Sequence, residues 1–176
     1  MNPIALASGV LPEFGPLDTI RAAITGGFDA VGLWVEPENW TDSTTRDAKA
    51  VLADSGLELI DVEVIWIKPD SDMDLHRRTL DIGAELGAKN VLCVSSDPDM
   101  GATAARLAEL CRHAEGSGIR VALEFGIFTE VKNLRMAMAV LDAAKWRSAV
   151  RMAAALSYAL LQLGHRVGML VFGERI

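Results

Sequence analysis

Apolar positions along this chain follow two alternating rhythms. Stretches with apolar residues at helical spacing end near a glycine, and a short, partly β-branched apolar run follows almost at once. Gly27 precedes the run 28–35 (FDAVGLWV), Gly56 precedes 57–66 (LELIDVEVIW), Gly87 precedes 90–94 (NVLCV) and Gly118 precedes 121–125 (VALEF). An opening strand fits over 4–10. Helices are predicted over 17–24, 44–54, 72–86, 103–114 and 131–144. The third offers Leu75, Leu80 and Leu86 as an inward stripe, and the fourth offers Leu107, Leu110 and Cys111. A glycine at each helix end would accept the left-handed cap, and the strand after it restarts the unit.

The four glycines are spaced 29, 31 and 31 residues apart. A βα unit repeated so evenly predicts a parallel sheet with right-handed crossovers. Strands buried on both faces should read as apolar runs, as 91–94 and 121–123 do. Spacing alone leaves a (β/α)8 barrel and an open doubly wound sheet level. The period then fails: another unit after Gly118 would place a helix end near position 149 and a sixth strand beyond it. The sequence there, RSAVRMAAA over 147–155, is helical by propensity. The next strand candidate, 167–172 (VGMLVF), follows Gly164, 46 residues after Gly118.

Composition narrows the class without naming a ligand. A chain of 176 residues with 51% hydrophobic and 23% charged residues suits one globular domain. The net charge of −7 argues against a nucleic-acid backbone as partner. Cys93 and Cys111 have no CxxC pairing and no histidine at ligand spacing, so both are expected as buried thiols in a reducing cytoplasm. No signal-peptide pattern opens the sequence. The apolar run 149–163 has 15 residues and contains Arg151, short of the roughly 20 that a membrane span needs. A buried or partner-facing helix is expected there. GxGxxG, Walker A, GxSxG and HExxH motifs are all missing from the sequence, which removes support for nucleotide binding, serine hydrolysis and zinc proteolysis.

Three segments carry a family likeness. The pieces IALASGVLPEFGPLDTIRAAITGGFDAVGLWVEP, LGAKNVLCVSSDPDM and GIRVALEFGIFTEVKNLRMAMAVLDAA, in this order and spacing, resemble xylose-isomerase-like barrels, the sugar (phosphate) isomerases and epimerases. The resemblance covers 1–144 and implies an α/β fold, a parallel (β/α)8-type TIM barrel left incomplete at about five βα units plus an anomalous C-terminal helix and strand. It implies a site at the C-terminal ends of the strands. It also implies a divalent metal (Mn²⁺, Co²⁺, Mg²⁺ or Zn²⁺) whose first ligand, a glutamate at the end of strand five, matches Glu124. Proton transfer between adjacent carbons of a small sugar or polyol would follow. The family's Asp on strand six, His on strand seven and Glu on strand eight find no match in 145–176. The segment 145–176 (KWRSAVRMAAALSYALLQLGHRVGMLVFGERI) resembles a helix and strand of a von Willebrand A-like domain, without that domain's Asp-x-Ser-x-Ser motif. A join between unrelated coding segments near Lys145 would explain both the broken period and the unmatched ligands.

Glu36, Glu63 and Glu130 could line the same mouth; Glu63, between Val62 and Val64, either faces a pocket in the interior, the reading slightly favoured, or sits on the surface. Trp34 and Trp66 close their strands. They are either ordinary core, the commoner case, or the wall on which a sugar ring packs. Asp97 and Asp99 in SSDPDM are read as a turn and a helix N-cap. His76, His113 and His165 are read as surface residues. Two functions follow: a metal-dependent isomerase or epimerase whose remaining ligands come from a partner, or a non-catalytic truncated or chimeric fragment that self-associates without metal. Either predicts a homo-oligomer or a partner chain completing the barrel, and no membrane partner. A DNA-repair endonuclease is disfavoured by the acidic balance and the want of a histidine-rich cluster.

Overall fold

The computed structural model describes residues 3–144, 153–155 and 169–171. Five strands, β1 (Ala5–Leu6), β2 (Ala30–Trp34), β3 (Glu58–Ile67), β4 (Asn90–Ser95) and β5 (Arg120–Leu123), form one sheet. They lie in the order β1-β2-β3-β4-β5, every neighbouring pair parallel. A doubly wound sheet reverses its strand order at a switch point, whereas a barrel adds each strand beside the last. The sequential order therefore resolves the alternative that spacing left open, in favour of an incomplete barrel.

Helices α1 (Pro16–Gly26), α2 (Asp42–Ser55), α3 (Met73–Leu86), α4 (Met100–His113) and α5 (Leu134–Ala144) follow the five strands. Their starts are chemically marked: Pro16 opens α1, Thr41 Oγ1 accepts from the Thr44 amide of α2 (3.2 Å), and Asp72 and Asp99 cap α3 and α4. Gly27, Gly56 and Gly87 close α1, α2 and α3 in the left-handed region, with φ of 70°, 68° and 81°. Gly118 does not do the same for α4. That helix stops at His113 with a right-handed Ala114, and Gly116 and Gly118 both take positive φ in the turn beyond.

Two further expectations are corrected. The opening strand is only Ala5–Leu6, because the chain turns into a 3-10 helix at Ser8–Val10. Within the expected helix over 149–163, Ala153–Ala155 is instead a strand, β6, antiparallel to β7 (Met169–Val171) and not hydrogen-bonded into the main sheet. Pairing across the two segments satisfies backbone groups that alanine's helix propensity would otherwise satisfy locally. The rest of 149–163 lies outside the described residues. No helix among the described residues is long and apolar enough to cross a membrane.

Strand β3 sets up the site. It has ten residues against five in β2 and six in β4, and its register slips against both. Val31 pairs with Leu59 but Gly32 with Asp61, so Ile60 is extra; Val62 pairs with Val91 but Ile65 with Cys93. Each irregularity resets the in–out alternation. Leu59, Val62, Ile65 and Ile67 are therefore all buried on the helix side, with Asp61, Glu63 and Trp66 at positions of the opposite, interior face. The helix-side layer is closely packed: a Cβ at Gly83 of α3 would lie 2.6 Å from Val62 Cγ2. Ile65, Ile67, Leu80, Leu107 and Leu110 are fully buried in it.

Candidate functional site

Three carboxylates converge on the interior face toward the C-terminal ends of the strands. Asp61 and Glu63 come from β3, and Glu124 follows β5, its amide donating to the Cys93 carbonyl (2.8 Å) so that the pairing runs one residue past the strand. Glu124 is 7% exposed. Ser8, just past β1, donates its hydroxyl to Glu63 Oε1 at 2.6 Å. Gly32 stands opposite Asp61 in the β2–β3 register, and a Cβ there would collide with Asp61 Oδ1. The bare backbone at position 32 is what lets this carboxylate lie against β2.

Electrostatics follow from this crowding. Burial, and then the neighbouring Glu63, push Asp61 up to about 7. Burial, with added repulsion from Glu63 and Asp61, pushes Glu124 up to about 8. Glu63 is also raised by burial, opposed by the Ser8 hydroxyl that stabilises its charge. Three acids this close cannot all ionise near neutrality. Glu63 is the natural seat of the charge, and Asp61 and Glu124 exchange protons near neutral pH. Groups tuned to that range are suited to both taking and returning a proton.

A cavity of about 500 Å³ opens beside this floor, between the segments after β1 and β2. Leu11, Phe14, Trp34 and Trp40 give it apolar walls, and Glu36 and Asn39 lie at its edge, Asn39 Nδ2 donating to Glu36 Oε2 (3.1 Å). Ser8 and Trp34 connect cavity and floor, because Ser8 binds Glu63 and Trp34 pairs with Glu63 in register.

The residues singled out from the sequence divide accordingly. Glu63 and Glu124 meet. Glu36 is drawn to the cavity, and Glu130 is set apart, with Lys132 Nζ 3.6 Å from its carboxylate. Trp34 and Trp66 are not core: they are 45% and 37% exposed, Trp34 as the last residue of β2 and Trp66 as the last but one of β3. Trp66 Nε1 donates to Ser96 Oγ (2.9 Å), and Lys68 Nζ lies 5.2 Å from its ring centre. Asp99 caps α4 through the amides of Gly101 and Ala102, and Asp97 forms the turn, accepting from the Asp99 amide (2.9 Å) while pairing with Arg106. His113 contacts Asp81 (2.7 Å). His76 departs from its surface reading: its Nε2 is buried without a hydrogen-bond partner, and burial lowers its pKa. His165 lies outside the described residues. Cys93 and Cys111 are free and buried, and burial raises both thiols, Cys111 to about 12.

Asp61, Ser8, Phe14 and Trp40 join the site without standing out in the sequence pattern. The Asp61-Val62-Glu63 alternation was the available signal for the first. The aromatic set between prolines in LPEFGP was the signal for Phe14.

The family-implied metal fits these residues only in part. Glu124 offers one hard oxygen donor. Among the described residues, no group of three or more His, Cys, Asp or Glu side chains is arranged to hold a metal ion. The described residues do not make a metal centre by themselves.

No protein-family model and no curated protein matches this sequence. Solved structures do resemble the chain. A xylose isomerase-like TIM barrel/4-hydroxyphenylpyruvate dioxygenase fusion protein is similar at 20% identity and a TM-score of 0.67, over 86% of this chain and 26% of the other. D-allulose 3-epimerase from Methylomonas sp. is similar at 18% identity and a TM-score of 0.67, over 85% of this chain and 61% of the epimerase. A xylose isomerase-like TIM barrel protein from Mycobacterium smegmatis, in complex with magnesium, is similar at 20% identity and a TM-score of 0.62, over 85% and 63%. At these identities the likeness establishes the fold, that of part of a xylose isomerase-like barrel. The chain spans about three-fifths of these single-barrel proteins and about a quarter of the fusion protein.

Proposed function

We propose that this chain forms the substrate-side portion of a divalent-metal-dependent isomerase or epimerase barrel acting on a small sugar or polyol. The observation that carries the reading is the convergence of Asp61, Glu63 and Glu124 on the interior face, beside a cavity walled by Phe14, Trp34 and Trp40. Asp61 is the candidate proton carrier at a carbon next to a carbonyl, Glu63 the fixed charge, and Trp34, Glu36, Glu63 and Trp66 the substrate contacts. Glu124 is the candidate first metal ligand. Its companions would come from strands outside the described residues or from a partner chain. The magnesium-bound barrel and the D-allulose epimerase are the relatives that support a metal and a sugar. On this reading residues 145–176 are an extension foreign to the barrel, and the chain works in the cytoplasm as a homo-oligomer.

The test is a calorimetric titration with Mn²⁺, Co²⁺ and Mg²⁺, with light scattering to fix the oligomeric state and deuterium wash-in to D-fructose as the reaction readout. Stoichiometric binding to an oligomer, abolished by Glu124→Ala and accompanied by exchange at the carbon next to the carbonyl, is expected. Metal binding indifferent to Glu124, or a metal-loaded oligomer that exchanges no proton, would sink the reading.

A second reading has its own observation. β1 and β5 end the hydrogen-bonded sheet among the described residues, with β6 lying beside β5 but not hydrogen-bonded to it, and unpaired edges invite pairing with another chain. A fragment that self-associates through those edges and binds no metal is the result expected if the titration is blank.

A further inference from the structure

We infer that the cavity beside the carboxylates takes an uncharged, hydroxyl-bearing ring or chain and rejects its phosphorylated counterpart. This rests on the reading of that mouth as a sugar or polyol site and narrows its substrate class. A cavity of about 500 Å³ is ample for a six-carbon sugar. Phe14, Trp34, Trp66, Ile127 and Phe128, five of the exposed large apolar residues, lie after β1, at the ends of β2 and β3, and after β5. Of these, Phe14 and Trp34 line the cavity, and their faces suit the C–H faces of a sugar, with its hydroxyls left to Ser8, Asn39 and Glu36.

Charge decides against an anion. Among the described residues, no Lys, Arg or His lines the cavity, and Glu36 is the sole charged one that does. Phosphate is normally held by Arg or Lys forks or by free amides at a helix N-terminus. Two helix N-termini approach here, since Gly15, Pro16 and Thr44 line the wall, and both are already answered. α1 starts with Pro16, which has no amide hydrogen, and carries Asp18 in its first turn. α2 has its Thr44 amide taken by Thr41 Oγ1 and carries Asp42 in its first turn. Lys68 at the rim lies over Trp66, and Arg78 reaches the wall through the backbone carbonyl of Trp40 (2.9 Å) without lining the cavity. Among the described residues, a phosphate seated here would meet Glu36 and no cation lining the cavity.

The experiment titrates the full chain at low ionic strength with D-fructose and myo-inositol, and with D-fructose 6-phosphate and inositol 1-phosphate, by calorimetry and tryptophan emission. D-fructose is also the sugar present with a D-psicose 3-epimerase of similar fold. At least one neutral probe is expected to bind, its phosphate ester at least about tenfold more weakly. Phe14→Ala and Trp34→Phe should weaken the neutral probe by roughly two- to tenfold, the size of an aromatic contact. Glu36→Lys should shrink the gap between neutral and phosphorylated probes, and circular dichroism checks that each variant folds. Equal or tighter binding of a phosphate ester overturns the inference, as does failure of both neutral probes. Running the deuterium wash-in on the metal-loaded parent beside this series separates the two proposals. Neutral preference without proton exchange leaves this inference standing and removes the isomerase, whereas exchange without that preference does the reverse.

Discussion

The two faces of β3 are built from one ten-residue strand and could hardly differ more. Toward the helices it presents Leu59, Val62, Ile65 and Ile67, all buried. Toward the interior it presents Asp61, Glu63 and Trp66, two acids displaced from their ordinary ionisation and an exposed indole. Stability is concentrated on one side of the sheet and chemistry on the other, and two register irregularities keep them apart. Strict alternation from Leu59 would put Asp61, Glu63 and Ile65 on its own face, mixing acid with core. The extra residues remove that conflict.

The largest expected effect tests the helix side. Ile65→Ala deletes a fully buried side chain between β3 and the helix layer, and should cost about 3–4 kcal/mol in denaturant unfolding. A loss below about 1 kcal/mol would mean that this layer can collapse around the gap, and that the two faces are less distinct than they look.

Next comes a contrast between two buried carboxylates. Asp97, 3% exposed, is paired with Arg106, whereas Glu124 has other acids for neighbours. Arg106→Ala leaves Asp97 buried without its cation and should destabilise by about 2–3 kcal/mol. Arg106→Lys should recover part of that. An Arg106→Ala variant as stable as the parent would show the ion pair to be incidental.

Glu124 should behave in the opposite sense. Its folded value of about 8, and about 7 for Asp61, lie above the ordinary carboxylate range, so the folded chain holds protons that the unfolded chain has released. Stability should therefore be fullest below the unfolded values, near pH 4, and fall as pH rises through 7 and 8. Glu124→Gln removes one of these liabilities. At pH 8.5 it should be more stable than the parent by about 2 kcal/mol, discounted for solvent access at the mouth, with a flatter melting profile between pH 5 and 8.5. A parent whose melting temperature climbs over that interval would contradict the crowded, uncompensated floor.

How much of this was legible in the sequence depends on how local each signal is. Gly27, Gly56 and Gly87 announce helix ends because a left-handed cap is decided by the residue itself. The apolar runs announce buried parallel strands for the same reason. Glu124 was legible only through resemblance, and Asp61 was passed over because the irregularities that turn it inward depend on pairing with β2 and β4. Ser8 was absorbed into an overlong first strand. The burial of His76 depends on packing between distant segments, with Trp66, Lys68 and Arg106 among its neighbours. The strand at Ala153–Ala155 runs against propensity altogether, and only its pairing with Met169–Val171 explains it.

The smallest expected effect is the most discriminating for the comparison. Trp34 occupies the last position of β2 and ranks among the largest side chains in the chain, so the ordinary expectation for its removal is a large loss. Yet it is 45% exposed, and it borders the cavity. A residue placed there for the fold would be covered; one placed there for a ligand would be left open until the ligand arrives. Trp34→Ala should therefore change unfolding free energy by no more than about 0.5–1 kcal/mol while weakening binding of a neutral sugar. A loss above about 2 kcal/mol would make Trp34 a packing residue, and the interior face a second core rather than a site.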